Sequence, residues 1–426
     1  MNGQKQLQES IKKKKWRKRQ MNKKLVIEVH VGKRYGISRL NCDGAGQVKD
    51  VLIDNSRYNR ISSQSKKRVW REHLEECLGE MEHVYRTRAI KDILMKKFAA
   101  MESPLYQENA EEMAEYIVKN ILKCDLKNKA IDVTSQILVF TEYDIKDIMN
   151  VFCEVITGQE EWDKLKKETE KGKKKKDDGS GYAAQIISAV KKKLPLRSYG
   201  VDCSMFGRMT TSDVMESVES AVSVNHSYSL GQATMDNDYF TVVDNYLSDM
   251  KNELDSGQSG SAYLDSKDFA THVYYEYASI DVRQLYENMT KGIDMTDESN
   301  KARVKEMMVK AICCVVRDIA CSAPSGGQNA FASYPDPVGV YITIRDCGTN
   351  RTADTCCIEE MNRYGGAEDE KFIAAMHEFV SNDFSGHQQY IKKLYAGKDA
   401  DKITGAEHVN FGDALNMIGE IVNERF

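Results

Sequence analysis

Apolar and polar positions first alternate in LVIEVHV, Leu25 to Val31, a β-branched run that predicts a strand. A polar, glycine-bearing stretch from Gly32 to about Gly46 reads as a loop, and VKDVLID, Val48 to Asp54, as a short extended element. From Ser63 to about Leu78 the period becomes helical. Gln64, Lys67, Arg68 and Arg71 gather on one side, while Val69, Trp70, His73, Leu74 and Cys77 spread over the other and are expected to pack. The serines opening this helix supply N-cap candidates, Ser63 or Ser65.

Further along, TRAIKDILMKKFAAM, ENAEEMAEYIVKNILKC and TEYDIKDIMNVFCEVI recur near 3.6 residues and predict amphipathic helices, with a strand or two in AIDVTSQILVFT. Glu160 to Gly181 is dense in charge and reads as a linker, followed by a helix from Ala183 to Lys193 and a strand from Val201 to Phe206. Alternation from Ser223 to Thr241 predicts a β-hairpin with Gly231 near its tip. Phe269 to Val282 reads as an aromatic strand, Ser299 to Ala320 as a helix, Pro324 to Asn329 as a glycine loop, and the last eighty residues as helical. Strands interrupted by helices indicate an α+β fold, an antiparallel sheet backed by helices and carrying large insertions.

Composition narrows the class. With 41% hydrophobic and 30% charged residues and no long apolar run, the 426-residue chain reads as a soluble protein without a membrane span or secretory signal. Eleven cysteines without CxxC pairs suggest reduced thiols and a cytoplasmic setting, and scattered histidines offer no zinc spacing. The net charge of -4 conceals an asymmetry: residues 1 to 24 hold ten Lys or Arg against one acid, Glu9. A basic tail on an acidic body suits electrostatic steering, although a solubilising arm would look the same.

Candidate chemistry centres on RISSQSKKRVWR, Arg60 to Arg71. Cations near a helix N-terminus oppose its dipole unless an anion neutralises them, so the stretch reads as a phosphate cradle. A solvated basic face would share this pattern. Asp236 and Asp238 form a D-x-D, more often a solvated turn than a cation site, and no Walker lysine motif or HD dyad is present.

These segments, in this order, resemble the CasC family, the repeated backbone subunit of the type I-E CRISPR surveillance complex Cascade, from about Leu25 to Asp346. The marks are RISSQSKKR at Arg60 to Arg68, GRMTTS at Gly207 to Ser212, FTVVDN at Phe240 to Asn245 and FATHVYYEYASIDV at Phe269 to Val282. The resemblance implies an RRM-like (ferredoxin-like) antiparallel palm (24–83, 201–222 and 265–350), helical fingers (84–200) and a β-hairpin thumb (223–264). A basic, disordered tail (1–23) and a helical C-terminal segment (351–426) would flank them. It implies partners: crRNA, target DNA, copies of the same chain in a filament, and other Cascade subunits, with no membrane, metal, cofactor or catalysis.

By the same resemblance the crRNA backbone is held by Lys49, Arg60, Ser62, Gln64, Lys67, Arg68 and Arg71. Met209, Phe240 and Thr241 are the duplex wedge, and Lys171, Lys173, Lys174, Lys175 and Lys176 contact target DNA. Cys42 stands where the family often has an RNA-contacting arginine, a role that Arg39 could take, and Lys66 replaces an apolar residue and is expected to add charge to the cradle. The alternative is a metal-dependent endoribonuclease subunit of a type III-like complex, cutting target RNA with Asp43.

Overall fold

The structure, a computed structural model, describes residues 24–79, 83–127, 131–172, 181–194, 199–210, 212, 214–234, 236–242, 263–346, 349–363, 365–382 and 389–426. They fall into two compact units: Met1–Leu74, Ser223–Val282 and Ile312–Phe426 form the first, Glu75–Val222 and Arg283–Ala311 the second.

The first unit is built on one sheet. Its strands include β1 (Val26–Ser38), β2 (Asp50–Ile53), β3 (Ser56–Ile61), β4 (Ser227–Ser229), β5 (Asp236–Val242), β6 (Tyr263–Asp281), β7 (Pro337–Arg345), β8 (Tyr390–Gly397) and β9 (Glu407–His408). The main path runs β9-β8-β7-β1-β6-β4-β3-β2, with β5 paired to β6. All of these pairs are antiparallel except β8 with β9. The expected antiparallel α+β class is therefore present.

Both faces of the central strands are covered, so the polar positions of the alternating β1 sequence, Glu28 and His30, are buried along with the apolar ones. On β6, Val273, Tyr275 and Tyr277 belong to a core shared with Phe372, Met376 and Phe379 of a helix at Glu368–Ser381. Gly32 of β1 lets this helix approach, since a Cβ there would lie 2.6 Å from the Phe372 ring. Tyr274, pointing oppositely, packs with Tyr35, Leu40 and Ile61. The helix α1 (Ser63–Leu78) buries Val69, Trp70 and Leu74, and Trp70 Nε1 donates to Ser322 Oγ at 3.0 Å.

A buried charge cluster joins α1 to this sheet. The Glu276 carboxylate of β6 accepts from Tyr35 Oη at 2.9 Å and lies 3.9 Å from Lys33 Nζ and 3.6 Å from Lys66 Nζ. Lys33 also donates to the Ser322 carbonyl, and Lys66 to Asn225 and Ser227. Lys33 and Lys66 are 1% and 3% exposed, respectively; two of the three charges are cationic. Burial consequently lowers the Lys66 pKa to about 8 despite the carboxylate.

In the second unit Phe98, Ile117, Phe152, Trp162 and Ile186 share one helical core. Its helices include Ile90–Ala99, Glu142–Val155, Gln159–Gly172 and Tyr182–Lys193, and its strand pairs include Val84–Thr87 with Leu138–Thr141 and Leu126–Lys127 with Val133–Thr134.

Several expectations need correction. The polar loop from Gly32 is strand as far as Ser38, because Lys33 and Tyr35 point inward to Glu276. The linker from Glu160 is helix as far as Gly172: Trp162 and Leu165, three residues apart, dock it while charge covers its outer face. Val201–Phe206, expected to be a strand, belongs to a short helix (Gly200–Phe206) set between glycines at positive φ, 72° and 79°.

The hairpin expected across Gly231 is not formed. β5 pairs instead with the distant β6, Asp236 opposite Phe269 and Val242 opposite Tyr263, because Asn225 to Leu230 are already held along β6. Residues 351–426 are not wholly helical, since β8 extends the sheet beside β7 between two helices. The basic tail lies outside the described residues.

Replacing Glu276 by Ala leaves two buried ammonium groups without their carboxylate and should lower unfolding stability by about 3–5 kcal/mol in urea titrations, far more than Lys66→Met. The unfolded Lys66 keeps its proton to its ordinary value of 10.5 while the folded one releases it from about 8. The unfolded state then binds more protons, so wild type should gain stability relative to Lys66→Met as pH rises through that window. A parallel pH dependence in the two proteins would contradict this.

Candidate nucleic-acid interface

Ser62, the residue before α1, is its N-cap: the Ser65 amide donates to Ser62 Oγ at 3.3 Å, and the Ser62 amide to Asn41 Oδ1 at 3.1 Å. The cap is therefore one residue earlier than Ser63 and three earlier than Ser65. Ser62 is 8% exposed, so its hydroxyl first serves the helix. Gln64 and Arg68 are exposed, and Lys67 and Arg71 are half-buried. Arg68 donates to Glu72 at 2.9 Å, which neutralises part of its charge. Burial and then the Arg71 charge lower the Lys67 pKa, since both disfavour the ammonium.

Lys66 does not belong to this face. It points into the sheet toward Glu276, so it adds no charge to the outer surface. Cys77, expected to pack, is exposed.

Lys49 and Arg60 meet across the adjoining strands, where the Arg60 amide donates to the Lys49 carbonyl at 2.8 Å. With Asp43, Gln47, Asp50 and Arg57 they line an open concavity of about 420 Å³. Arg57, a residue that sequence reasoning missed, donates to Asp50 at 2.7 Å. The turn beside them is tightly specified. Asp43 Oδ1 accepts from the Ala45 and Gln47 amides, Gly46 takes a φ of 84°, and Arg39 donates to the Gly46 carbonyl. Arg39 thus braces the turn near Cys42, whose thiol pKa is raised by burial. The Pro324–Asn329 loop packs against Arg39 and Leu40, where a Cβ on Gly326 would lie 2.3 Å from the Leu40 carbonyl oxygen.

His226 was also missed. It lies between these groups, with Nδ1 3.2 Å from the Ser63 amide and 3.1 Å from Arg60 Nη1. A lone histidine in SVNHSYS carries no signal in the sequence; long-range strand pairing brings it here.

The wedge candidates fall in different units. Met209 is 85% exposed on a turn of the second unit, bounded by the Arg208–Val218 bridge. Phe240 lies on β5 opposite Asp265, with Lys267 Nζ 4.6 Å from its ring centroid. Thr241 is placed by its backbone opposite Leu264. Lys171 lies in the helix Gln159–Gly172, and Lys173, Lys174, Lys175 and Lys176 lie outside the described residues. Among the described residues no three His, Cys, Asp or Glu side chains converge to hold a metal ion, and no helix is long and apolar enough to cross a membrane.

Residues 27–406 match the family model described as CT1975-like protein. The chain belongs to that family. Two solved structures share its fold. One, titled "CRISPR RNA-guided surveillance complex, pre-nicking", matches with a TM-score of 0.71 at 20% identity, over 94% of this chain and 100% of the other. A second, titled "CRISPR RNA-guided surveillance complex", matches with a TM-score of 0.64 at 18% identity, over 94% and 99%. No curated protein matches. The resemblance to the CasC family of Cascade is thus borne out by the family match together with the shared fold.

Proposed function

We propose that this CT1975-like chain is a non-catalytic backbone subunit of a CRISPR surveillance complex. Copies of it polymerise along crRNA, gripping the sugar-phosphate backbone without reading sequence and presenting guide segments to target DNA. The observation that carries this reading is the convergence of Lys49, Arg60 and the start of α1 on one surface of the first unit. Cations, an amide-bearing helix start and polar side chains are the chemistry for phosphate contacts, which position nucleic acid without specifying bases. Delegating sequence to base pairing requires this indifference. The fold shared with chains of RNA-guided surveillance complexes supports the assignment.

On this reading the sheet of the first unit is the RRM-like palm, the helical second unit includes the fingers, and the β5–β6 ladder is an arm of the thumb. Met209, largely presented to solvent, and Phe240 suit insertion between base steps. The Lys267 ammonium over the Phe240 ring adds a cation to the same arm. Asp43 shapes its turn by accepting two backbone amides, which accounts for its position without catalysis.

Charge reversal at Lys49 and Arg60, or at Lys67 and Arg71, should reduce co-purified guide RNA at least tenfold while the variants unfold near the wild-type temperature. Undiminished RNA recovery would remove the cradle assignment. Wild-type affinity for single-stranded RNA should fall with salt at a slope of about -0.7 per neutralised phosphate. Guide-loaded assemblies given complementary RNA and magnesium should leave it intact; periodic cuts lost in Asp43→Ala would establish the ribonuclease instead. Met209→Ala with Phe240→Ala should keep RNA binding but erase the periodicity of a nuclease footprint, and an unchanged footprint would exclude the wedge.

A further inference from the structure

His226 stands beside the proposed phosphate site with no role in the account so far. Its ring is exposed, yet two donors aim at the same nitrogen: the Ser63 amide, 3.2 Å from Nδ1, and Arg60 Nη1, 3.1 Å from it. A backbone amide nitrogen and a guanidinium offer no lone pair to accept a hydrogen bond. Nδ1 must therefore be the acceptor, and the ring proton belongs on Nε2. Protonating Nδ1 would set three donors against one another and break both contacts.

The surroundings keep the ring neutral from several elements at once. Burial lowers its pKa, and so do Arg60 of β3, Lys66 of α1 and Lys49 of the turn before β2. Glu276 of β6 enters this group by pairing with Lys66. Lys66 in turn donates to Asn225, whose Oδ1 also accepts from the Tyr277 amide, so the residue beside His226 is fixed to the sheet.

We infer that the His226 imidazole holds the acceptor position of a nucleic-acid phosphate: on binding, a phosphate oxygen takes over the Ser63 amide and Arg60, and the displaced ring takes up a proton from solvent. The inference rests on the phosphate-binding function proposed above. A bound phosphate offsets the cations that keep the ring neutral, and the imidazolium adds a charge-assisted hydrogen bond to it. Bound chain then holds more protons than free chain, so affinity rises as pH falls through the bound-state pKa and levels off below the free-state value. One titrating group limits the gain to about tenfold per pH unit.

The test uses the full chain and a labelled oligouridine, with binding followed by fluorescence anisotropy from about pH 8 to about pH 5.5 at fixed salt. Wild type should bind about fivefold or more tightly at the lower pH. His226→Gln keeps a neutral acceptor but cannot titrate, so whatever its affinity near pH 8, that affinity should stay nearly flat on acidification. Equal pH slopes in the two proteins, with binding intact near pH 8, would overturn the inference and leave the RNA-binding function standing. Absence of binding at every pH would overturn that function and the inference with it. Calorimetry of wild type in buffers of different ionisation enthalpy measures the proton uptake directly, and zero uptake near pH 6.5 would also overturn the inference.

Discussion

The proposed phosphate cradle depends on a carboxylate that never reaches the surface. Glu276, buried on β6, gathers Tyr35 and Lys33 from β1 and Lys66 from α1. Such clusters are weak evidence for net stability, because desolvation offsets much of the attraction, but they are demanding about geometry. Here the geometry is the useful product. Pinning Lys66 fixes the roll of α1, turning Lys67, Arg68 and Arg71 away from the sheet. The same ammonium holds Asn225 and thereby sets His226 against the first amide of the helix.

A second set of contacts aligns the neighbouring wall. Gly326 allows the loop after Ala323 to press on Leu40, Arg39 reaches the Gly46 carbonyl, and Asp43 closes the turn that delivers Lys49 beside Arg60. These residues need touch no ligand to matter, since they set the direction of Lys49 and Arg60. A phosphate grip indifferent to base identity asks only for fixed donors and cations at regular places, and a stiff sheet supplies that constancy.

Periodicity made the main elements legible wherever one face is wet. The start of α1 at Ser63 and its basic face and the long helix ending near Cys321 follow from it. It failed where polarity was buried. Lys33 looks like loop and Lys66 like surface, because a lysine in the sequence does not announce a glutamate some 200 residues away. It failed also where the pairing was not with the nearest stretch: β5 finds β6 rather than the closer β4, and His226 joins Arg60 across 166 positions. The cation types at the site were thus legible before their arrangement, and the ordered motifs of the CasC resemblance supplied what local pattern could not.

The central claim is that the surface organised by Glu276 grips phosphate. An electron cryomicroscopy reconstruction of the chain assembled on guide RNA tests it most directly. The account predicts backbone phosphates within about 3 Å of the Ser63 amide and of the Lys49 and Arg60 side chains, with Lys66 still turned inward to Glu276. RNA running over another face, with these three groups in water, would contradict it.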